Sequence, residues 1–305
     1  VEGYRNFATK LWNAARFAQG QGIGAPADAG IPAAAHPLNR WIIAETAAMT
    51  TDVEAALSGF RFDHYADRLY HFVWDRFCDW YLELLKPLLA EEGPAAAEAR
   101  AVAGWVLDQI LISLHPVMPF LTEELWHALG TRPHDLIHAP WPELAAAPDA
   151  ATAESDWRIM LAAAIRSART ELNVPPGARI PLHVLDADAG LLARAGRHFA
   201  ALSRLARVEE VVAGPPPAGG AAQLVVEGAV YALPLAGVID LGAERARLER
   251  AHAAAAREAE SLATRLSNPG FTERAKPEAV EKARADLAAR TAEAERLSGA
   301  LARLA

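Results

Sequence analysis

The sequence predicts a mainly α protein in three parts: a helical bundle over residues 1–148, a small α/β connector over 149–239 and an antiparallel coiled-coil hairpin over 240–305. Three observations carry that prediction. Through the first part, apolar residues recur at spacings of three and four, the period of a helix with one buried face. After the WPEL at residues 141–144 the pattern changes to short alternating runs bounded by Gly and Pro. Beyond residue 240, two heptad-spaced runs are divided by SNPGF, a turn neither helix crosses.

The first helix is expected over residues 3–19, with Tyr4, Phe7, Leu11, Ala14, Ala15 and Ala18 inward. GQGIGAPADAGIPAAAHP then holds Gly and Pro too densely for a helix and reads as a surface loop. A second helix spans about Leu38 to Leu57, burying Trp41, Ile42, Met49 and Val53, and Gly59 closes it. The clearest helix starts at an Asp63 N-cap and ends ahead of Pro87, with Tyr70, Trp74, Phe77, Tyr81, Leu84 and Leu88 as its inward stripe. Asp75, Asp79 and Glu83 make an acidic stripe elsewhere on it. A fourth helix, Ala95 to Leu114, stops at HPVMPF, and Thr122 is expected to cap a fifth. The connector should begin with a helix over about 153–172 and the turn VPPG. A strand IPLHVL, one short helix over 191–202, a strand VEEVV and a hairpin turning at Glu227-Gly228 follow.

In the last part, Leu241, Leu248, Ala255 and Leu262 step by seven, as do Val280, Leu287, Ala294 and Leu301. Pro277 suits the first turn of the returning helix. About 27 residues per helix give an arm of roughly 40 Å. Arg245, His252 and Arg290 intrude on an Ala-rich seam, so its stability should be modest.

Composition bounds the function. With 52% hydrophobic and 22% charged residues, the 305-residue chain is ordinary globular protein. No apolar run approaches the roughly 18 to 20 residues of a membrane span, so a cytoplasmic protein with no membrane partner is expected. Cys78 is the only cysteine, which rules out an internal disulfide and argues against a Cys-based metal site. A formal charge of −8 excludes a uniformly basic surface. Residues 240–305 are less acidic, with 12 Lys and Arg against 11 Asp and Glu.

No catalytic constellation is present. The chain has no GxxxxGK[ST] loop, no strand followed by GxGxxG, no HExxH and no nucleophile elbow. Its His residues are scattered; His64 and His71 share a helix seven positions apart and are read as structural, like the acidic stripe. No catalytic residue, bound metal or cofactor is expected within this chain. A long arm with Arg-bearing helix faces fits RNA binding. It equally fits a protein–protein scaffold that dimerises through the C-terminal hairpin.

Longer strings narrow that choice. GYRNFATKLWNAARF resembles the opening of the anticodon-binding domain in the valine, isoleucine and leucine class of tRNA synthetases, and HPVMPFLTEELW resembles a bundle motif of that class. FRFDHYADRLYHFVWDRFCDWYLELLKP looks like the valine branch, as do RSARTELNVPPG heading the connector and RLSNPGFTERAKPEAVEKAR at the arm's turn. Isoleucyl enzymes of many bacteria end in a cysteine-rich module, whereas here Cys78 stands alone.

The resemblance implies a larger enzyme, a class I aminoacyl-tRNA synthetase. It would join valine to valine tRNA using ATP with magnesium and hydrolyse threonine mischarges. The His-Ile-Gly-His and Lys-Met-Ser-Lys-Ser signatures and the editing domain of that family are missing, and the likeness begins at Val1, so the chain is expected to be an inactive C-terminal fragment. Its implied partners are valine tRNA and the missing catalytic and editing domains of the same polypeptide, and it is expected to be a monomer.

The resemblance also implies roles for side chains. On the first helix Arg5, Lys10, Asn13 and Arg16 match the family's polar pattern. They stand as tRNA contacts or as anchors to the missing body. Trp12 lies off the apolar face and stacks either on protein or on RNA. On the arm, Arg265, Arg274, Lys276, Lys282 and Arg284 cluster at the turn expected near the tRNA corner, with Glu273, Glu278 and Glu281 among them as candidate internal partners. Phe271 is either a plug over the hairpin end or a stacking platform.

Overall fold

A computed structural model describes residues 2–24, 30–144, 150–185, 188–272 and 275–304. They form two compact units, Val1–Ile159 and Met160–Ala305, divided within one helix.

The first unit is helical. Helix α1 (Glu2–Gly20) buries Phe7, Leu11, Ala14, Ala15 and Ala18, as their spacing requires. Helix α2 (Pro37–Ser58) starts with Pro in its first turn, and the His36 side chain accepts a hydrogen bond from the Leu38 N–H at 3.2 Å. Gly59 ends it, although the left-handed residue of that turn is Phe60, at φ 56°.

The aromatic helix departs from expectation in three ways. It begins as α3 (Phe62–His71), so Asp63 lies inside the first turn instead of capping it; there its carboxylate takes two hydrogen bonds from Arg61, at 3.1 and 3.0 Å. It then continues as a π-helical stretch (Phe72–Tyr81) and only afterwards as α4 (Leu82–Ala90). The wider turn shifts the buried stripe. A row four apart, Leu69, Val73, Phe77, Tyr81, Leu85 and Leu89, is buried together with Tyr65, Phe72, Leu82 and Leu84; of the expected stripe Phe77, Tyr81 and Leu84 are inward, while Tyr70, Trp74 and Leu88 are half-exposed. Finally, Pro87 lies within α4, where only the last turn follows it and buried Leu84, Leu85 and Leu89 hold the backbone helical.

Helix α5 (Pro94–Leu114) runs through the core, buried nearly all round from Val102 to Leu111. Helix α6 (Pro119–Ala128) starts three residues before Thr122. Thr122 is therefore no cap: its buried hydroxyl bonds the Met118 carbonyl at 3.0 Å and meets His115 Nδ1 at 2.9 Å. One ion pair is fully enclosed. Arg132 bonds both Asp108 oxygens, at 2.7 and 2.9 Å, donates to the Trp126 carbonyl and lies 3.8 Å over the Trp126 ring. A 3-10 turn (Leu136–His138) follows.

Helix α7 (Ala150–Glu171) crosses from the first unit into the second. There, strand β1 (Ile180–Val184) leads through α8 (Ala189–Arg197) and α9 (Phe199–Ala206) to β2 (Val208–Ala213), parallel to β1. The one short helix expected here is two, broken at His198. Strands β3 (Ala221–Val226) and β4 (Ala229–Pro234) form the expected hairpin, with Glu227 at φ 48° and Gly228 at φ 80°, and the sheet order is β2-β1-β4-β3. The arm comprises α10 (Leu241–Ser267), a short α11 (Pro269–Thr272) and α12 (Pro277–Arg303), Pro277 standing in the first turn as expected. Its last described residue, Leu304, makes an antiparallel bridge to Ala222 at the β3 edge.

Candidate nucleic-acid interface

Burial of one face of α1 leaves the opposite face carrying Arg5, Thr9, Trp12, Asn13 and Arg16, all exposed. Among the described residues Arg5 and Arg16 make no ion pair, and Trp12 is 40% exposed. Lys10 is placed differently. It turns toward the π-helical stretch, pairs with Asp79 and sits 4.1 Å over the Trp74 ring. Trp74 is stacked on Tyr70 and Tyr70 on Phe7, with ring centroids 5.5 and 5.3 Å apart. This stack joins α1 to the aromatic helix and holds Lys10 inside the protein's own contacts.

The acidic stripe is likewise used internally. Asp79 pairs with Lys10, Glu83 with Lys86, and Asp75 lies 2.7 Å from His71. Buried His183 places Nδ1 3.1 Å from the Gly214 carbonyl, a structural role of the kind expected for the scattered histidines. Burial lowers the pKa of His36, against the raising field of Glu98, which keeps Nδ1 free to accept from Leu38. Burial also pushes the Cys78 thiol up to about 12, too high for a nucleophile at neutral pH. Of the groups the sequence did not single out, Glu123 and Asp135 lie 3.1 and 3.2 Å from His127 Nε2, forming a surface ion-pair cluster between α6 and the 3-10 turn.

At the arm's turn, Lys276, Lys282 and Arg284 are exposed and make no ion pair among the described residues. The internal pairing expected from Glu278 and Glu281 does not occur there, because both project outward as well. Arg265 lies 4.1 Å over the half-buried Phe271 ring, covering one face of it. Arg274 and Glu273 lie outside the described residues. The seam charges behave otherwise: Arg290 bridges to Glu258 on the facing helix at 3.0 Å, and Arg245 bonds the Leu304 carbonyl.

Sequence reasoning missed four exposed apolar residues. Phe60 is 80% exposed and Phe120 91%, and Phe62 and Val117 are exposed as well. The Tyr65 hydroxyl, bonded to the Ser113 carbonyl, joins the start of α3 to the end of α5 and brings both groups to one end of the bundle. The signal was present in FRFDHY and HPVMPF, where these residues interrupt the helical period.

Residues 39–185 match the family described as the anticodon-binding domain of tRNA ligase, and residues 240–305 match the valyl tRNA synthetase tRNA binding arm. The fold and these two matches define the tRNA-binding portion of an aminoacyl-tRNA synthetase. Over its full length the chain is 58% identical to a valine–tRNA ligase of Rhizorhabdus wittichii, 54% to one of Sphingopyxis alaskensis and 48% to one of Zymomonas mobilis. It belongs to the valyl-tRNA synthetase family and carries that family's anticodon-binding domain and tRNA-binding arm. The chain spans about a third of the length of these relatives, 34%, 36% and 35% respectively. Helix α1 precedes the matched anticodon-binding span. No helix among the described residues is long and apolar enough to cross a membrane.

Proposed function

We propose that the bundle binds the anticodon stem-loop of valine tRNA while the arm braces the outer corner of the folded RNA. The observation that carries this reading is a helical hairpin of the tRNA-binding-arm family with Lys276, Lys282 and Arg284 near its turn, exposed and without an ion pair among the described residues. Phosphate contacts position a nucleic acid without reading its sequence, which is the task of a brace. Arg265 adds to them, as does Arg274 by its position in the sequence, and Phe271, with Arg265 on one face, offers its remaining surface to the RNA. On α1, Arg5, Asn13 and Arg16 hold backbone and Trp12 packs against what they hold. Lys10 acts indirectly, fixing the helix through Asp79 and Trp74.

In the same reading the whole polypeptide is a cytoplasmic, monomeric valine–tRNA ligase. It activates valine with ATP and magnesium and edits threonine mischarges outside residues 1–305. Editing answers a physical limit: a hydrophobic pocket discriminates poorly against an isostere bearing a hydroxyl, and the valine enzyme is the standard example of that limit. Exposed Phe60, Phe62, Val117 and Phe120 give the remaining domains an apolar surface to cover.

Fluorescence anisotropy with valine tRNA and two unrelated tRNAs, at matched salt, tests the proposal. Tighter binding of valine tRNA, weakening with salt, is expected. Equal binding of all three would rule out anticodon reading by this chain.

A further inference from the structure

The motif RSARTELNVPPG, residues 166–177, contains polar residues that tRNA binding does not call on. Two of them, Glu171 and Asn173, reach the base of the arm, and a third, Arg169, shapes the turn that follows. Arg169, largely buried, donates to the Pro175 and Ala178 carbonyls at 3.1 and 2.8 Å and so shapes the VPPG turn. Glu171, the last residue of α7, pairs through its carboxylate with Arg303 at the end of α12 and accepts from the Ser167 hydroxyl at 2.9 Å. Its carbonyl, an open acceptor at a helix C-terminus, takes a hydrogen bond from Arg247 of α10 at 3.0 Å. Asn173 adopts the left-handed conformation, φ 49°, that Asn tolerates best after Gly, and donates to buried Glu244 at 3.2 Å. Glu244 in turn receives Arg247 at 2.5 to 3.0 Å, and that hydrogen bonding holds its carboxyl below the usual range.

Both helices of the hairpin are thus fastened to the same few residues of the connector, α10 through Glu244 and Arg247 and α12 through Arg303. The bridge from Leu304 to Ala222 adds a backbone tie to the sheet edge. Farther out the arm has only a thin seam, with Ala255, Val280 and Ala283 buried and Leu262, Leu266 and Leu287 half-exposed. Such a seam holds two helices together but does not set their direction. We infer that Glu171 and Asn173 are positioning residues for tRNA: they form a rigid joint that fixes the arm's direction on the connector. The inference deepens the bracing role proposed above and rests on it. A brace contributes through a high local concentration at its target, and a loose joint dilutes that concentration.

The test uses the full chain with Cys78→Ala, spin labels at Ala200→Cys on α9 and Ala263→Cys on α10, both exposed, and electron–electron distance measurement. A narrow distribution is expected, broadening in Glu171→Gln/Asn173→Ala while helix content stays unchanged. Affinity for valine tRNA should fall by about tenfold in that variant, with the slope of log K against log salt unchanged, because no phosphate-binding cation is removed. The exchange Glu171→Arg/Arg303→Glu should restore both the narrow distribution and most of the affinity. An undisturbed distribution in the double variant overturns the joint. A broadened distribution with full affinity overturns its role toward tRNA. The distances are read without RNA, so a chain that binds no tRNA would sink the bracing proposal while the joint itself is still decided.

Discussion

The bundle and the arm are both antiparallel helices, yet they spend their side chains in opposite ways. In the bundle many of the largest residues face inward, Trp41, Trp126, Tyr65, Tyr81, Phe72 and Phe77 among them, and away from the outer face of α1, where Arg5 and Arg16 stay exposed, several cations are tied to carboxylates of the same unit: Lys10 to Asp79, Arg132 to Asp108, Arg76 to Glu45 and Asp156. In the arm the buried residues are mostly Ala and Val, and the cations at the turn face water. The bundle is stabilised by its own interior. The arm is secured at its root and leaves its charge for a partner.

That contrast can be broken in several places. The largest effect is expected at Arg132. Arg132→Ala strands a buried carboxylate and should cost about 3–5 kcal/mol, read by denaturant unfolding from tryptophan fluorescence. All eight tryptophans lie in residues 1–159, so this signal belongs to the bundle alone. A cost under about 1 kcal/mol would mean that the pair is hydrated and the bundle's interior less closed than described.

Next comes the arm. Replacing Lys276, Lys282 and Arg284 with Ala should leave the melting temperature unchanged, lower tRNA affinity by about tenfold and reduce the salt slope by about one for each phosphate left without its cation. A smaller effect is expected at Lys10, where Lys10→Met should cost about 1 kcal/mol of bundle stability, because Trp74 and Asp79 are deprived of their shared cation. If it cost no stability and instead lowered the salt slope, Lys10 would belong with the arm cations.

The subtlest difference is in pH dependence. His36 has its pKa lowered by burial, so the unfolded chain takes up its proton first and the stability this gives the bundle declines as pH falls below 6.5. Glu244 at the arm root has its pKa lowered by Arg247, so its contribution is complete above 4.5 and is lost only as pH falls further. Tryptophan fluorescence against pH should show the His36 contribution to the bundle declining in a range where the Glu244 contribution at the arm root is still complete. Simultaneous loss would contradict the separation.

How legible this was in the sequence depended on distance along the chain. The hairpin of β3 and β4 and the turn of the arm are local, and their Gly and Pro residues mark them directly. The register of the aromatic helix is not legible there, because nothing in the local apolar spacing marks the ten residues that take the wider π turn. Thr122 reads as a cap until α6 is seen to begin at Pro119, whose missing N–H suits a first turn. Among candidate contacts, Arg5, Trp12, Asn13 and Arg16 were legible as the polar face of α1. Lys10 looked equivalent because its partner, Asp79, is 69 residues away. Glu171 and Arg303, 132 residues apart, left no trace in local pattern.

The division of labour between reading and bracing is best tested by titrating valine tRNA and an anticodon-swapped version against the intact chain and against Lys276→Ala/Lys282→Ala/Arg284→Ala. The arm variant should lose the same factor of affinity for both RNAs, so that the preference for the native anticodon survives. Loss of that preference in the arm variant would contradict the division.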